Sequence, residues 1–108
     1  MTAGNFGTEE LRNLADIDRL IHEPARLVIV TILSAVESAD FLYLKHETGL
    51  TKGNLSSHLS RLEEAGYLEI EKTYREKIPL TICRLTKTGR LAFETYRSQL
   101  KNFVESTK

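Results

Sequence analysis

The sequence predicts a mainly α, α+β domain in which one β-hairpin precedes the last of several helices. Two observations carry this. Apolar residues recur at helical spacing along most of the chain, and the period drops to two only between Leu68 and Leu85. The punctuation agrees: Thr51 and Thr86 stand where helices would start, and Gly49 and Gly66 stand where helices would stop.

The first seven residues are expected to be disordered, and residues 8–108 to form a single domain. Thr8 with Glu9 and Glu10 reads as a helix start, after which Leu11, Leu14, Ile17 and Ile21 continue at helical spacing. Pro24 suits the first turn of a second helix because its missing N–H is not needed there. Leu27, Val28, Ile32, Leu33 and Val36 are read as that helix's apolar face. Asp40–Thr48 is read as a short third helix, presenting Phe41 or Leu42 together with Leu44 and Lys45 and ended by Gly49. Thr51 then caps a fourth helix with Leu55, Leu59 and Leu62 on one face, up to Ala65 and Gly66. Leu68 and Ile70 alternate with Glu69 and Glu71, and Leu80–Leu85 is extended in character. Arg75, Glu76, Lys77 and Pro79 are read as a charged hairpin tip. Thr86 caps a last helix, with Gly89 an early weak point in it, and Phe93, Tyr96, Leu100 and Phe103 form its stripe.

Composition narrows the function. The chain has 108 residues, 41% of them apolar and 28% charged, as in a globular protein, and no run approaches the ~20 apolar residues of a membrane helix. The beginning lacks the basic-then-apolar layout of a secretory signal, so a cytoplasmic, nucleoid-associated protein is expected, with no membrane partner. Lys and Arg balance Asp and Glu at 15 each, which argues against phosphate binding until the distribution is considered. Residues 1–50 hold 4 basic and 8 acidic side chains, whereas residues 51–90 hold 8 and 5. The basic excess coincides with the fourth helix and the hairpin.

Two helices joined by the tight Gly49-Leu50-Thr51 turn have the layout of a helix-turn-helix, whose second helix enters the major groove. With the leucine stripe turned inward, Gly53, Ser57, Ser60 and Arg61 lie roughly opposite it and Asn54 beside them. Such a small, polar, lightly basic face suits a groove ~12 Å wide. Gly53 permits close approach, Ser56, Ser57 and Ser60 offer hydroxyls, and Asn54 and Arg61 have bidentate options. Ser, Asn and Gly all weaken a helix, so their clustering calls for a reason. Thr51, Lys52 and the free N–H groups of the first turn point a positive helix end at phosphate. Lys72, Arg75 and Lys77 would add a hairpin contact to flanking DNA, partly offset by Glu76.

The stretch from Gly49 to Arg90, GLTKGNLSSHLSRLEEAGYLEIEKTYREKIPLTICRLTKTGR, preceded by LVIVTIL and ADFLYLKHET, resembles the winged helix-turn-helix transcriptional regulators of the MarR and ArsR type, particularly small single-domain prokaryotic members. The resemblance implies a dimer that binds a pseudo-palindromic operator, and a homodimeric repressor on double-stranded DNA is expected. In that reading Thr51–Arg61 occupy the groove and Arg75–Lys77 form the wing. The chain departs from metal-sensing ArsR proteins in lacking a cysteine cluster on its third helix.

The remaining chemistry reads as structural. Cys83 shares a strand face with Leu85 and is expected in the core. His22, His46 and His58 lie on different elements, so no metal or cofactor is predicted. His58, on the edge of the leucine stripe, is left between local packing and a phosphate contact. No nucleophile, phosphate loop or paired-acid motif points to catalysis. The last helix's stripe runs past the point where so small a core should end. A dimer interface is therefore expected from Leu11, Leu14, Phe93, Tyr96, Leu100 and Phe103, the simpler reading being that the last helix packs on the first. The alternative function is a winged-helix protein-interaction module without DNA binding.

Overall fold

The computed structural model describes residues 8–108. The expectation of a disordered 1–7 segment lies outside the described residues. The element order is α1 (Thr8–Ala15), α2 (Pro24–Ser34), β1 (Ala39–Asp40), α3 (Phe41–Thr48), α4 (Lys52–Glu64), β2 (Leu68–Arg75), β3 (Ile78–Leu85) and α5 (Lys87–Ser106). The strands form one antiparallel sheet in the order β1-β3-β2. This is the expected mainly α architecture with its hairpin, plus a short third strand.

The first helix ends earlier than its apolar spacing implies. It stops at Ala15, and Ile17 and Ile21 lie in the connection that follows. Asp18 is the cause, because its Oδ1 accepts the N–H groups of Leu20 (2.9 Å) and Ile21 (3.0 Å) in a local turn that competes with helix. Its Oδ2 accepts the Tyr67 hydroxyl at 2.5 Å, tying the connection to the far end of α4. That bond, added to burial, pushes the Tyr67 phenol up to about 12. The chain re-enters helix at Pro24 as expected, with the extended Glu23 as N-cap accepting from the Ala25 N–H.

The buried face of α2 also differs from the expected one. Ile29, Val30 and Leu33 are fully buried, whereas Val28 and Val36 remain 45% and 37% exposed. A run as uniformly apolar as LVIVTIL has no single period from which to choose its inner face. Arg90 of α5 closes the end of α2 by donating to the carbonyls of Ser34 (3.3 Å) and Val36 (3.0 Å).

The core lies between α2, α3, α4, the sheet and the first half of α5. Leu44, Leu55, Leu59, Leu62, Leu68, Cys83 and Leu85 meet Ile29, Val30 and Leu33 there, and Phe93 and Tyr96 close it. Cys83 is fully buried, and burial first, then Glu63 and Asp40, pushes its thiol up to about 11. It is a core residue.

Three short-range features hold the frame. The α4 helix ends in a Schellman arrangement: Gly66, at φ 80°, donates to the Glu63 carbonyl and Tyr67 to that of Leu62, both at 2.9 Å. The hairpin turn is Glu76-Lys77, with φ 51° and 71°, two residues in the left-handed region as a tight type I′ connection requires. Pro79 is therefore not at the tip but in β3, opposite Tyr74. Thr86 caps α5 as expected, accepting the Gly89 N–H at 3.0 Å while its own N–H donates to the Tyr67 carbonyl at 3.0 Å. Gly89, expected as a weak point, is a packing requirement, since a Cβ there would lie 2.2 Å from the Tyr67 oxygen.

Candidate nucleic-acid interface

The α3–α4 turn is built by its caps. Asp40 accepts the Tyr43 N–H at 2.8 Å and starts α3, so the expected first residue of that helix is its cap and also pairs with Ile82 in the sheet. Of the two candidates at the start of α3, Phe41 is the half-buried one and Leu42 is 73% exposed. Gly49, at φ 70°, ends α3 with its N–H on the Lys45 carbonyl at 3.1 Å. Thr51 restarts the chain, its Oγ1 accepting the Asn54 N–H at 3.1 Å. A three-residue interruption, Gly49-Leu50-Thr51, thus turns one helix into two.

Leu55, Leu59 and Leu62 anchor α4 and are 0–2% exposed. Thr51, Lys52, Gly53, Asn54, Ser56, Ser57, Ser60 and Arg61 are all exposed, so the residues expected to read DNA share a continuous solvent-facing surface. No heavy atom lies within 4 Å of where a Gly53 Cβ would sit, which leaves this part of the helix open to close approach by a groove wall. Among the described residues, Lys52 and Arg61 have no carboxylate within ion-pair distance. Their charges are available to an anion from outside.

The wing residues are exposed but divided. Register places Lys72 opposite Thr81 and Tyr74 opposite Pro79, on the sheet face that carries Leu68 and Ile70 inward to the core. Arg75, opposite Ile78, lies on the other face with Glu69 and Glu71, and lines a groove with Val36, Asp40, Tyr43 and Ile82. Lys77 stands in the turn. The expected tip cluster of Lys72, Arg75 and Lys77 is thus spread over two faces and a turn. The two acidic side chains of β2 share one cation, since Arg84 bonds Glu71 at 3.0 Å and Glu69 at 3.4 Å. These pairs raise the Arg84 pKa further.

Sequence reasoning missed Tyr74 and Ile78, which are 72% and 67% exposed near the wing tip, and Lys45. Lys45 and Lys52 line a second groove, whose opposite wall is Pro79, Leu80 and Thr81 of β3. Strand alternation from Leu68 could have placed Tyr74 beyond the core on the Lys72 face. His58 packs locally, within hydrogen-bond distance of Arg26.

The expected interface stripe is split as well. Tyr96 (1% exposed) and Phe93 (8%) belong to their own chain's core, and the Tyr96 hydroxyl lies 2.8 Å from His22 Nδ1. Leu14, Leu100 and Phe103 are half-buried where α1 packs on α5, and Leu11 is 44% exposed. Among the described residues no three metal-ligating side chains are grouped to hold an ion, and no helix is long and apolar enough to cross a membrane.

Comparison with known proteins agrees with this geometry. The family model for the winged helix DNA-binding domain matches residues 25–104, from the first turn of α2 nearly to the end of α5. An uncharacterised protein of Methanocaldococcus jannaschii is 37% identical over 78 residues, which are 72% of this chain and 85% of that protein. A solved transcriptional regulator homologue from Pyrococcus horikoshii superimposes with a TM-score of 0.85 at 28% identity, covering 94% of this chain and 99% of that one. An ArsR family transcriptional regulator (TM-score 0.55, 20% identity, 93% and 95% covered) and NadR in complex with 4-hydroxyphenylacetate (0.66, 16%, 92% and 72%) share the fold. Turn, exposed polar helix and hairpin together are those of a DNA-binding module, and this chain belongs to the winged helix DNA-binding domain family.

Proposed function

We propose that the protein is a sequence-specific transcriptional regulator, without enzymatic activity, that represses by occupying a pseudo-palindromic operator in double-stranded DNA as a homodimer. The observation that carries this reading is the face of α4. Gly53, Asn54, Ser57, Ser60 and Arg61 are all exposed on a helix whose opposite side is locked by three buried leucines. A helix fixed on one side, and small and polar on the other, can enter the major groove without rearranging. Lys52 and Lys45 border it, and Lys72 on one face of the wing and Lys77 in its turn offer further positive charge to flanking DNA, with Arg75 on the other face. Such a protein works in the cytoplasm, on the nucleoid.

Dimerisation is assigned to the α1–α5 pair. The α1 helix has no buried residue, yet it carries Leu11 at 44% exposure, and Val104 near the end of α5 is 54% exposed. The Cα radius of gyration of 16.8 Å exceeds the ~13 Å of a compact domain of about this size, so the fold is elongated, as a projecting helix pair would make it. In the proposed dimer Leu11, Leu14, Leu100 and Phe103 face the partner, while the buried Phe93 and Tyr96 set the angle of α5. A two-fold pairing would space two α4 helices about 34 Å apart.

The wing assignment has its own test. Lys72→Ala and Lys77→Ala are each expected to weaken binding to all duplexes about equally. Each should also reduce the slope of log affinity against log salt by about 0.9, the contribution of one phosphate contact. Fluorescence anisotropy over a salt series reads both quantities. An unchanged slope in both variants would remove the wing from the interface. Failure of the wild type to bind any duplex at about 50 mM salt would favour the interaction-module reading.

A further inference from the structure

Arg26 is the buried charged side chain of the described core, 7% exposed, and the DNA-reading surface does not use it. Its Nε donates to the Leu20 carbonyl at 2.6 Å, and its Nη1 lies 3.1 Å from Nδ1 of His58. A guanidinium only donates, so His58 Nδ1 accepts, which requires a neutral ring with its proton on Nε2. Glu23 lies 3.6 Å from both Arg26 Nη1 and His58 Nδ1, and its other oxygen caps α2. His58 sits on α4 between Ser57 and Leu59, so this contact joins the helix assigned to the groove to the α1–α2 connection and the start of α2.

We infer that Arg26 is a positioning residue for α4, holding it through neutral His58, and that protonation of His58 releases this hold and weakens DNA binding. The inference rests on the assignment of α4 as the reading helix. A protonated Nδ1 cannot accept from Arg26, and its nearest acceptor becomes the Glu23 carboxylate. The buried guanidinium then loses one partner, and a second cation stands beside it. The other charged groups around the contact are committed elsewhere or point outward. Asp18 is bonded to Leu20, Ile21 and Tyr67, His22 lies against the Tyr96 hydroxyl, and Arg61 of α4 itself is exposed. If the DNA-bound pose needs neutral His58, binding releases a proton, and affinity falls as the pH is lowered.

The test uses the full chain and a labelled duplex recovered by selection from random DNA, at constant ionic strength. Between pH 7.5 and 5.5 the wild type should lose about tenfold more affinity than His58→Asn, whose amide can keep an acceptor near the Nδ1 position but does not titrate. Arg26→Met should bind about tenfold more weakly at pH 7.5 and show no histidine-dependent pH profile; should it not fold, Arg26→Lys, which cannot make both bonds, is expected to behave in the same way. Without DNA, the NMR amide shifts of Ser57, Ser60 and Arg61 should titrate together with His58 Cε1–H in the wild type and not in the Arg26 variant. Identical pH profiles for wild type and His58→Asn, or α4 amides indifferent to His58, would overturn the inference. Coupled NMR shifts in a protein that binds no duplex would instead refute the DNA-reading assignment and leave the positioning role standing.

Discussion

Arg61→Ala is expected to lower affinity for the preferred DNA sequence about tenfold to a hundredfold, the ~1–3 kcal/mol of one bidentate base contact, while non-specific binding changes far less. Arg61 is exposed, and among the described residues its side chain has no hydrogen bond or ion pair, so its removal costs the fold nothing on that account. Alanine also favours helix slightly. Asn54→Ala should act in the same way, because the cap uses the Asn54 backbone N–H and leaves the side chain free. Competition binding against matched and single-base-changed duplexes measures the effect. Unchanged preference in both variants would take this face of α4 out of the groove.

Gly89→Ala is expected to destabilise the protein by about 3 kcal/mol, at the upper end of overpacking costs, and to lower the thermal midpoint by roughly 15 °C. In an open helix the same change would stabilise by ~1 kcal/mol. Here the new Cβ would meet the Tyr67 carbonyl oxygen at 2.2 Å and the Tyr67 carbonyl carbon and Cα at 3.0 Å. Those are backbone atoms, and that oxygen already accepts the Thr86 N–H, so no flexible side chain can yield. Relief requires α5 to move away from the α4–β2 junction. The contrast is Gly53→Ala, which meets open space and should stabilise α4 slightly while narrowing its fit to DNA. A Gly89→Ala midpoint within 3 °C of wild type would contradict the packing, where about 3 °C corresponds to well under 1 kcal/mol.

The parts of the fold that local chemistry decides were legible in the sequence. Gly49, Thr51, Gly66 and Thr86 each need a particular backbone or capping geometry, and each marks the end of an element it was expected to mark. The leucine stripe of α4 was legible because an isolated period of three and four has one solution. The parts decided by distant partners were hidden. The α1 helix stops where Asp18 answers to Tyr67, 49 residues on, and β1 exists only through its pairing with Ile82 and Cys83. Two positive-φ residues that are neither glycine nor asparagine, Glu76 and Lys77, form the turn, and Pro79, expected at the tip, lies in β3. Gly89 read as helix-weakening because the carbonyl beside it belongs to another element. At the candidate site, individual exposure followed from the helical period, whereas the division of the wing into two faces needed the strand register. Nothing in the sequence near Arg26 marks it as buried, since its partners Leu20 and His58 come from other parts of the chain.

Selection of binding sites from randomised duplex DNA with the purified full-length protein tests the central claim most directly. A homodimer reading DNA through the Asn54–Arg61 face of α4 should enrich an inverted repeat whose half-site centres lie one helical turn, about 10–10.5 bp, or a multiple of it apart. The same selection with Arg61→Ala should lose preference at one position of each half-site. Recovery of pools with no enriched sequence, or of an enriched sequence that Arg61→Ala and Asn54→Ala select equally well, would contradict the account.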